Sequence, residues 1–384
     1  MSVDIYRRRQ VFAGAEGESV FFWGARQTGK STLLKELFPD ALWFDLLLTG
    51  DYERLVKNPG VLRETVLASL PVAAVVIDEV QRIPELLNEI HWLIANHGVR
   101  FIMSGSSPRK ILRGGVNLLG GRALRYELYP LVSAEIPDFD LMRALNNGLL
   151  PRHYNTINAK RRIAAYIGSY LRDEIAAEAR LRHVATFGRF LEAAALSNGE
   201  VVNYTNIASD MGVSAPTIKE YFQILEDTLL GRYLPSFQKK PKRRVVRAPK
   251  FYLFDVGIAN FLLKRGPIEL GTEIFGRVFE HLIYQEIYAH SRYSDLNYPI
   301  TYWRTASQIE VDFILGDHEV AIEVKSAQTI NGRHLKGLKA FAEEYTVKKL
   351  IVVSHEPQPR LVDDILILPW QMFLRRLWNG EILA

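Results

Sequence analysis

The sequence predicts an α/β protein of several domains, and three observations lead to this prediction. Apolar runs alternate with helix-like segments over roughly the first 150 residues, which is typical of a doubly wound parallel sheet. A glycine-rich segment at residues 24–31 lies between the first apolar run and a helix-like stretch. A helical pattern over 158–198 then leads to a second series of strands and helices from residue 271 onward.

The predicted strands of the first part are residues 18–23, 42–46, 72–77, 99–104 and 123–128. The third is a continuous apolar run, as expected of a strand buried on both faces of a parallel sheet. The segment that follows the last strand contains Pro130, Pro137, Gly148 and Pro151, and it is predicted to be a connection.

The glycine-rich segment reads Gly24-Ala-Arg-Gln-Thr-Gly29-Lys30-Ser31 and matches the phosphate-binding pattern G-x-x-x-x-G-K-[ST] at every fixed position. In that pattern the glycines let backbone N–H groups surround phosphate oxygens at a helix N-terminus. Lys30 is expected to reach the β- and γ-phosphates of ATP, and the Ser31 hydroxyl to coordinate Mg²⁺. The residues predicted to bind the nucleotide are Gly24, Ala25, Arg26, Gln27, Thr28, Gly29, Lys30, Ser31 and Thr32.

Two carboxylates, Asp78 and Glu79, follow the third predicted strand. Ligands bind at the carboxyl ends of strands in open parallel sheets, so we expect both side chains beside the phosphate-binding segment. Asp78 is predicted to hold the Mg²⁺ shell, and Glu79 to polarise the attacking water. The alternative is that the pair caps the next helix, near Pro84.

Two further positions complete this candidate ATPase site. Ser104, or else Ser106, follows the fourth predicted strand and is expected to contact the γ-phosphate or the attacking water, the alternative being a turn of small residues. Arg122 precedes the last strand and is expected to act on a neighbouring subunit as an arginine finger, which predicts a homo-oligomer. The rivals for this role are Arg113 and Arg125, and a plain surface position is the alternative.

The composition sets limits on the class of protein. A chain of 384 residues is long enough for two or three domains. The absence of cysteine excludes disulfides, cysteine zinc sites and a cysteine nucleophile, and it fits a reducing cytoplasm. The basic residues near the N-terminus are not followed by an apolar run, so no signal peptide is expected. No apolar stretch approaches the roughly 20 residues of a membrane span, so no membrane partner is expected.

Four segments together resemble a family of prokaryotic AAA+ ATPases: GARQTGKS, VVIDEVQ, FIMSGSS and GGRALRYELYPL. In that family the ATPase is fused to a C-terminal region long labelled as a domain of unknown function, which residues 251–257 and 276–326 resemble. The resemblance implies ATP binding and hydrolysis, a winged-helix module and a restriction-endonuclease-like α/β domain. The predicted regions are a P-loop AAA+ ATPase domain at 1–150, a helical connector at 151–200, a winged helix-turn-helix at 201–250 and the nuclease-like domain at 251–384.

The middle region carries the pattern of a helix-turn-helix over residues 204–225. Gly212 suits the turn and Ser214 can cap the second helix. The side chains predicted to point mostly outward are Thr217, Lys219, Glu220 and Gln223. The basic run at 239–250 suits a wing that meets DNA phosphates, so DNA is a predicted partner. The alternative is a winged helix used for domain or subunit packing.

The second chemical signal lies in two strand-like runs around a loop at residues 316–318. If the hairpin is centred between Asp317 and His318, Asp312 lies opposite Glu323, and Lys325 shares their face. Opposed carboxylates about 5 Å apart repel each other, and a divalent cation relieves that repulsion. Lys325 is then placed to orient water or to stabilise developing negative charge.

This arrangement resembles the PD-(D/E)xK nuclease superfamily, with Asp312, Glu323 and Lys325 at the motif positions. Glu280 matches the acidic residue that some members carry on their first helix, whereas Val311 replaces the proline of the motif. The alternative is a retained fold without catalysis, in which Glu310 and Lys325 form a cross-strand ion pair.

Two functions therefore remain open. The first is an ATPase coupled to DNA binding and Mg²⁺-dependent DNA cleavage, in DNA processing or defence. The second is a regulatory switch ATPase whose C-terminal domains are interaction scaffolds. DNA-stimulated ATP hydrolysis would favour the first, and hydrolysis indifferent to nucleic acid would favour the second.

Overall fold

The computed structural model describes residues 6–109, 111, 119–175, 184–239 and 243–383, and for 171–174 it describes the backbone alone. These residues form two compact units. The N-terminal unit comprises Gln10–Pro130 and Asp227–Leu230. The C-terminal unit comprises the described residues up to Arg9, together with Leu131–Glu226 and Gly231 onward.

The N-terminal unit is built on a parallel five-stranded sheet with the strand order β2-β3-β4-β1-β5. Its strands are β1 (Ser19–Trp23), β2 (Leu42–Asp45), β3 (Val75–Asp78), β4 (Phe101–Gly105) and β5 (Ala123–Glu127). Its helices are α1 (Lys30–Leu37), α2 (Thr49–Lys57), α3 (Gly60–Ala68) and α4 (Leu86–His97). A strand lies within or across each of the five predicted ranges, although β3 begins at Val75 rather than at residue 72. Strands β1, β3 and β4 are buried along their whole length, as expected of central parallel strands.

The parallel arrangement brings the carboxyl ends of the central strands to one edge of the sheet. Trp23 at the end of β1 is in register with Gly105 at the end of β4. A side chain at Gly105 would overlap Gln81 Oε1 and come within 2.5 Å of Trp23, so only glycine fits between these neighbours. The segments that follow β1, β3 and β4 are therefore packed closely together.

The first part of the C-terminal unit is mainly helical. Its helices are α5 (Leu141–Asn147), α6 (Pro151–Tyr154), α7 (Ala159–Ala165), α8 (Val184–Leu196), α9 (Tyr204–Met211) and α10 (Ala215–Asp227, whose last residue lies in the N-terminal unit), and a π-helix (Tyr166–Glu174) follows α7. Strands β6 (Gly231–Leu234) and β7 (Lys250–Leu253) form a two-stranded antiparallel sheet after α10. Residues 131–150, which the sequence places at the end of the first domain, belong to this unit because Leu131, Leu145 and Leu149 are buried in its core.

The rest of the C-terminal unit is a six-stranded mixed sheet with the order β12-β13-β11-β10-β9-β8. Its strands are β8 (Ile300–Arg304), β9 (Glu310–Leu315), β10 (Val320–Val324), β11 (Lys349–Ser354), β12 (Arg360–Val362) and β13 (Ile365–Pro369). Its helices are α11 (Val256–Leu262), α12 (Glu273–Tyr293), α13 (Lys336–Ala342) and α14 (Trp370–Trp378).

The predicted hairpin register is confirmed in β9 and β10, where Phe313 pairs with Ile322 and Leu315 with Val320. Helix α12 packs its apolar side chains into the core on one face of the sheet, and α13 packs into the core on the other. A side chain at Gly337 in α13 would overlap the carbonyl oxygen of Glu310, so glycine is what lets α13 approach β9 this closely.

Candidate functional site

The glycine-rich segment connects β1 to α1 and folds back on itself. Gly29 has a φ of 99° at the start of α1, and Gln27 a φ of 65°. Both values lie in the left-handed region, which glycine adopts without strain. Thr28 Oγ1 donates to the carbonyl of Ala25 over 2.8 Å. Three other residues were predicted to bind the nucleotide. Gly24 is buried, Arg26 is partly buried and Thr32 is exposed.

Lys30 is the first residue of α1 and is almost fully buried. Its ammonium donates to the carbonyl oxygens of Gly24 over 2.7 Å and of Ala25 over 3.3 Å. Burial lowers the pKa of Lys30, although the nearby carboxylates of Glu79 and Asp78 oppose this shift. The ammonium is thus satisfied by weak neutral acceptors inside the loop where phosphate would bind.

Asp78 ends β3 and is held by hydroxyl groups from two directions. Ser31 Oγ in α1 donates to Asp78 Oδ2 over 2.5 Å, and Ser104 Oγ in β4 donates to Asp78 Oδ1. Backbone N–H of Glu79 also donates to Asp78 Oδ1, over 3.1 Å. The structure therefore brings together the three side chains that the sequence assigned to Mg²⁺ and to the γ-phosphate.

Glu79 is buried and has a φ of 61°, an unusual value for a non-glycine residue. Its Oε2 accepts a hydrogen bond of 2.6 Å from Gln81 Nε2, which also donates to Ser106 Oγ over 3.0 Å. Gln81 is a residue that sequence reasoning missed, and its only signal was its place two residues after Glu79. The contact connects Glu79 to the segment after β4, which carries Ser106, the alternative candidate to Ser104.

The candidate arginines have different surroundings. Arg122 is exposed, and its guanidinium lies 2.7 Å from His91 Nε2. Arg125 pairs with Glu127 over 3.1 Å, and Arg113 lies outside the described residues. The sequence did not single out Arg109, which is buried after β4 and forms an ion pair with Asp227.

The second candidate site lies on β9 and β10. The hairpin register places Asp312 opposite Glu323, and Asp312 Oδ2 accepts a hydrogen bond of 2.7 Å from the backbone N–H of Val324. Lys325 Nζ lies 2.5 Å from Glu323 Oε1. Both carboxylates are buried, and Glu323 Oε2 has no hydrogen-bond partner among the described residues.

Burial, together with the charges within this site, shifts the pKa values of its side chains. Burial, with the Glu323 and Glu280 carboxylates, raises the pKa of Asp312 well above its ordinary value. Burial raises the pKa of Glu323 to about 7, although Lys325 opposes the shift. Burial alone would lower the pKa of Lys325, but Asp312 and Glu323 raise it above its ordinary value. The site therefore holds mutually repelling carboxylates and one strongly paired lysine.

Glu280 on α12 approaches the same cluster, and β7 approaches Glu280. Lys250 Nζ lies 3.3 Å from Glu280 Oε1 and 2.5 Å from Glu310 Oε1. Tyr252 donates to the same Glu280 oxygen over 2.6 Å. The non-catalytic alternative predicted a cross-strand ion pair between Glu310 and Lys325, and this prediction is wrong. Within the described chain Glu310 pairs with Lys250 and Arg304, and Lys325 pairs with Glu323.

The helix pair and the basic run differ in how much of their surface is available. Ser214 Oγ accepts from the backbone N–H of Thr217 over 3.3 Å, as predicted for a cap. The exposed side chains of α10 include Lys219, Glu220 and Gln223. In the basic run 240–242 lie outside the described residues, while Lys239 pairs with Asp317, Arg243 with Glu343 and Glu344, and Lys250 is buried. Of the predicted phosphate contacts, Arg244 and Arg247 are exposed and form no ion pair within the described part of the chain.

The donor groups of the two sites suit divalent cations to different degrees. Across the described ranges, no three His, Asp or Glu side chains are grouped so that they alone could hold a metal ion. At the first site a nucleotide would supply the further oxygen ligands beside Ser31 and Asp78. At the second, the orphaned Glu323 Oε2 beside Asp312 is an oxygen available to a hard cation.

Comparison with known families agrees with the first site. Residues 16–136 match the model of an AAA domain, and two domains of unknown function match at residues 138–269 (DUF8612) and 275–373 (DUF4143). The N-terminal part of the chain is thus similar to an AAA domain. Such a domain indicates nucleotide binding, and here it is fused to two domains whose descriptions assign no activity.

Two mycobacterial proteins described as uncharacterised are similar to nearly the whole chain. One is from Mycobacterium bovis and one from Mycobacterium tuberculosis, and each is 26% identical over 383 residues, covering 95% of this chain and 83% of the relative. A structure of AMPPCP-bound DnaA from Aquifex aeolicus matches 54% of this chain and 81% of its own, with 14% identity and a TM-score of 0.29.

Among the described helices, none is both long and apolar enough to cross a bilayer.

Proposed function

We propose that this protein binds ATP and hydrolyses it with Mg²⁺ in the N-terminal unit. The observation that carries the proposal is the convergence of Ser31, Ser104 and Asp78 at the carboxyl ends of β3 and β4, beside a buried Lys30. This arrangement combines a phosphate-binding loop with a carboxylate that accepts from two hydroxyl groups. It lies within residues 16–136, which match the AAA domain.

Each residue has a role that follows from its position. The Lys30 ammonium leaves the carbonyl oxygens of Gly24 and Ala25 for the β- and γ-phosphates, which are stronger acceptors because they are charged. Ser31 and Asp78 would hold Mg²⁺, and the ion would neutralise phosphate charge. Glu79 accepts a proton from the attacking water, and Ser104 donates toward the γ-phosphate.

The experiment separates binding from turnover. Lys30→Ala removes the cation that holds the phosphates, so it should abolish tight ATP binding, whereas Glu79→Gln should bind ATP and lose about 10²–10⁴-fold in turnover. Nucleotide titration and phosphate release measure the two effects. Glu85→Gln is the matched control, since Glu85 is exposed on the same segment. Equal hydrolysis by wild type and Glu79→Gln would contradict the role of Glu79.

A second candidate function belongs to the C-terminal unit: DNA binding with Mg²⁺-dependent phosphodiester cleavage. The observation that favours it is the opposed pair of Asp312 and Glu323, with Lys325 on the same face and one unpartnered buried carboxylate oxygen. Asp312 and Glu323 would hold the cation, and Lys325 would stabilise charge that develops on the phosphate. The exposed surface of α10, together with Arg244 and Arg247, supports DNA as the partner.

The regulatory switch is distinguished from this function by measuring ATPase and nuclease rates with single-stranded, duplex and branched DNA. Stimulation of ATP hydrolysis by any of these forms supports coupling to DNA. Hydrolysis indifferent to all three, with no cleavage, supports a switch whose C-terminal domains are scaffolds.

A further inference from the structure

Lys250 is a buried cation that neither proposed function uses. It lies at the start of β7 with only 3% of its surface exposed. Lysine is almost never buried to this extent unless it is paired. Its ammonium contacts one oxygen of Glu280 and one of Glu310, and it lies 5.5 Å from the centre of the Tyr302 ring. A residue from one strand therefore connects the helix α12 to the first strand of the candidate metal hairpin.

The charges that face one another in this cluster come from several elements. Its carboxylates are Glu280 of α12, Glu310 and Asp312 of β9 and Glu323 of β10. Its cations are Lys250 of β7, Lys325 after β10 and Arg304 of β8, which lies 3.4 Å from Glu310. The positive charges of two lysines thus already compensate carboxylates that would otherwise attract a divalent ion.

Lys250 also fixes where Glu280 points. Glu280 Oε1 accepts from both Lys250 and Tyr252, two residues that share one face of β7 because they are two positions apart. Glu280 is near enough to Asp312 and Glu323 to raise the pKa of both. As placed, Glu280 does not form a metal-holding group of three with Asp312 and Glu323, and its Oε1 is occupied by Lys250 and Tyr252.

We propose that Lys250 is an internal counter-cation that competes with a divalent cation for the Glu280, Asp312 and Glu323 cluster, and so restrains metal binding there. This inference rests on the second candidate function, because it takes Asp312 and Glu323 as metal ligands. The ammonium repels an incoming dication directly, and it withholds Glu280 from the site. Both effects lower the metal affinity. Removing the ammonium ends the repulsion and leaves Glu280 Oε1 with the Tyr252 hydroxyl as its described donor.

The test measures Mn²⁺ affinity of the full-length protein by electron paramagnetic resonance, together with thermal melting with and without Mn²⁺. Lys250→Met keeps the length of the side chain and removes its charge. It should lower the melting temperature without metal and raise Mn²⁺ affinity at least tenfold. Lys250→Arg should keep the affinity of wild type. Lys239→Met is the matched control, because it removes one exposed cation outside the cluster and should change neither quantity.

A second variant guards against loss of folding in Lys250→Met, which leaves Glu310 with Arg304 as its remaining ion-pair partner in the described chain. The double variant Lys250→Met with Glu310→Gln removes both charges of the Lys250–Glu310 ion pair and still takes the lysine away from Glu280. It should therefore fold and should bind Mn²⁺ more tightly than wild type.

The outcomes separate this proposal from the function on which it rests. Mn²⁺ binding that needs Asp312 in wild type but is unchanged in both Lys250 variants would overturn the counter-cation role and leave the metal site standing. Binding in the Lys250 variants alone would support the role in its strongest form. No Mn²⁺ binding by any of these proteins would remove the metal site, and the proposal with it.

Discussion

The two candidate sites both place lysine beside carboxylates, but they satisfy these charges in opposite ways. In the N-terminal unit Lys30 contacts backbone carbonyls, and Asp78 is bound by two hydroxyls. In the C-terminal unit Lys250 and Lys325 contact carboxylates directly. Burial lowers the pKa of Lys30, whereas carboxylates raise the pKa of Lys325 against the opposing effect of its burial.

This difference shows how similar residues can be prepared for different ligands. A buried ammonium that has only neutral acceptors gains by meeting an anion, so Lys30 suits an incoming phosphate. Ammoniums that are already paired with carboxylates gain little from a new anion and oppose a new cation. This contrast supports the nucleotide and metal proposed for the first site, whereas the charges of the second compensate one another.

The largest expected effect concerns the first site. If Arg122 completes a neighbour's site, Arg122→Ala should lose about 10³–10⁵-fold in ATP turnover, the range known for arginine fingers. Mixing Arg122→Ala with Glu79→Gln subunits should restore part of the hydrolysis, because one mixed interface then has both groups intact. Arg125→Ala is the control, since Arg125 already pairs with Glu127. No recovery in mixtures shown to co-assemble would mean that Arg122 does not act across subunits.

The next effect concerns the second site. Asp312→Asn should abolish stabilisation by Mg²⁺ or Mn²⁺, because a ligand stabilises a protein only by binding its folded state. The variant without metal should be no less stable than wild type, since the change relieves repulsion with Glu323 and an asparagine oxygen can still accept from Val324. Lys325→Ala should keep the metal response and lose DNA cleavage. Melting curves that ignore both metals in wild type, with no cleavage of any DNA form, would leave only the scaffold.

A smaller effect is expected in the pH dependence of stability. Burial raises the pKa of Glu323 to about 7 from an ordinary value near 4.5. The folded protein then keeps a proton that the unfolded chain releases, so stability falls as pH rises from about 4.5 to 7. Glu323→Gln should flatten that decline in melting experiments and should remove the metal response.

Glu286 provides the control for this pH effect. Burial also raises its pKa to about 7, but its partners are Ser133 and Trp378, which are neutral. Glu286→Gln should flatten the decline to a similar extent and leave the metal response intact. If only Glu286→Gln changes the pH profile, Glu323 does not hold the proton.

The smallest effect concerns DNA. Arg244 and Arg247 are exposed, so replacing both with Gln should reduce the slope of log affinity against log salt by about 1.8, at about 0.9 per phosphate contact. Arg243→Gln is the control, because Arg243 is already paired with Glu343 and Glu344. It should leave the slope unchanged. An unchanged slope in the Arg244 and Arg247 variant would place the DNA surface elsewhere.

The sequence predicted what is encoded locally. The phosphate loop, Asp78 and the five strands follow from short patterns, because parallel strands bring their carboxyl ends together. The register of β9 and β10 followed from the position of one turn. These features depend on neighbours a few residues apart in the chain.

The contacts that the sequence did not predict join distant segments. Lys250 lies 60 residues before Glu310, and within a basic run it resembled an exposed DNA contact. Tertiary packing buries Lys250. The same packing pairs Arg243 with Glu343 and Glu344, about 100 positions away in the chain. Gln81 is close to Glu79 in sequence, but its bridge to Ser106 requires the packing of β4 against the segment after β3.

The most direct test of the central contrast is to count Mn²⁺ ions bound per chain by equilibrium titration, with and without ATP. With ATP, we predict one tightly bound ion that Lys30→Ala removes and Asp312→Asn keeps. Without ATP, we predict only weak binding, which Asp312→Asn removes and Lys250→Met strengthens. An ATP-linked ion that survives Lys30→Ala, or tight binding without ATP that survives Asp312→Asn, would contradict the account.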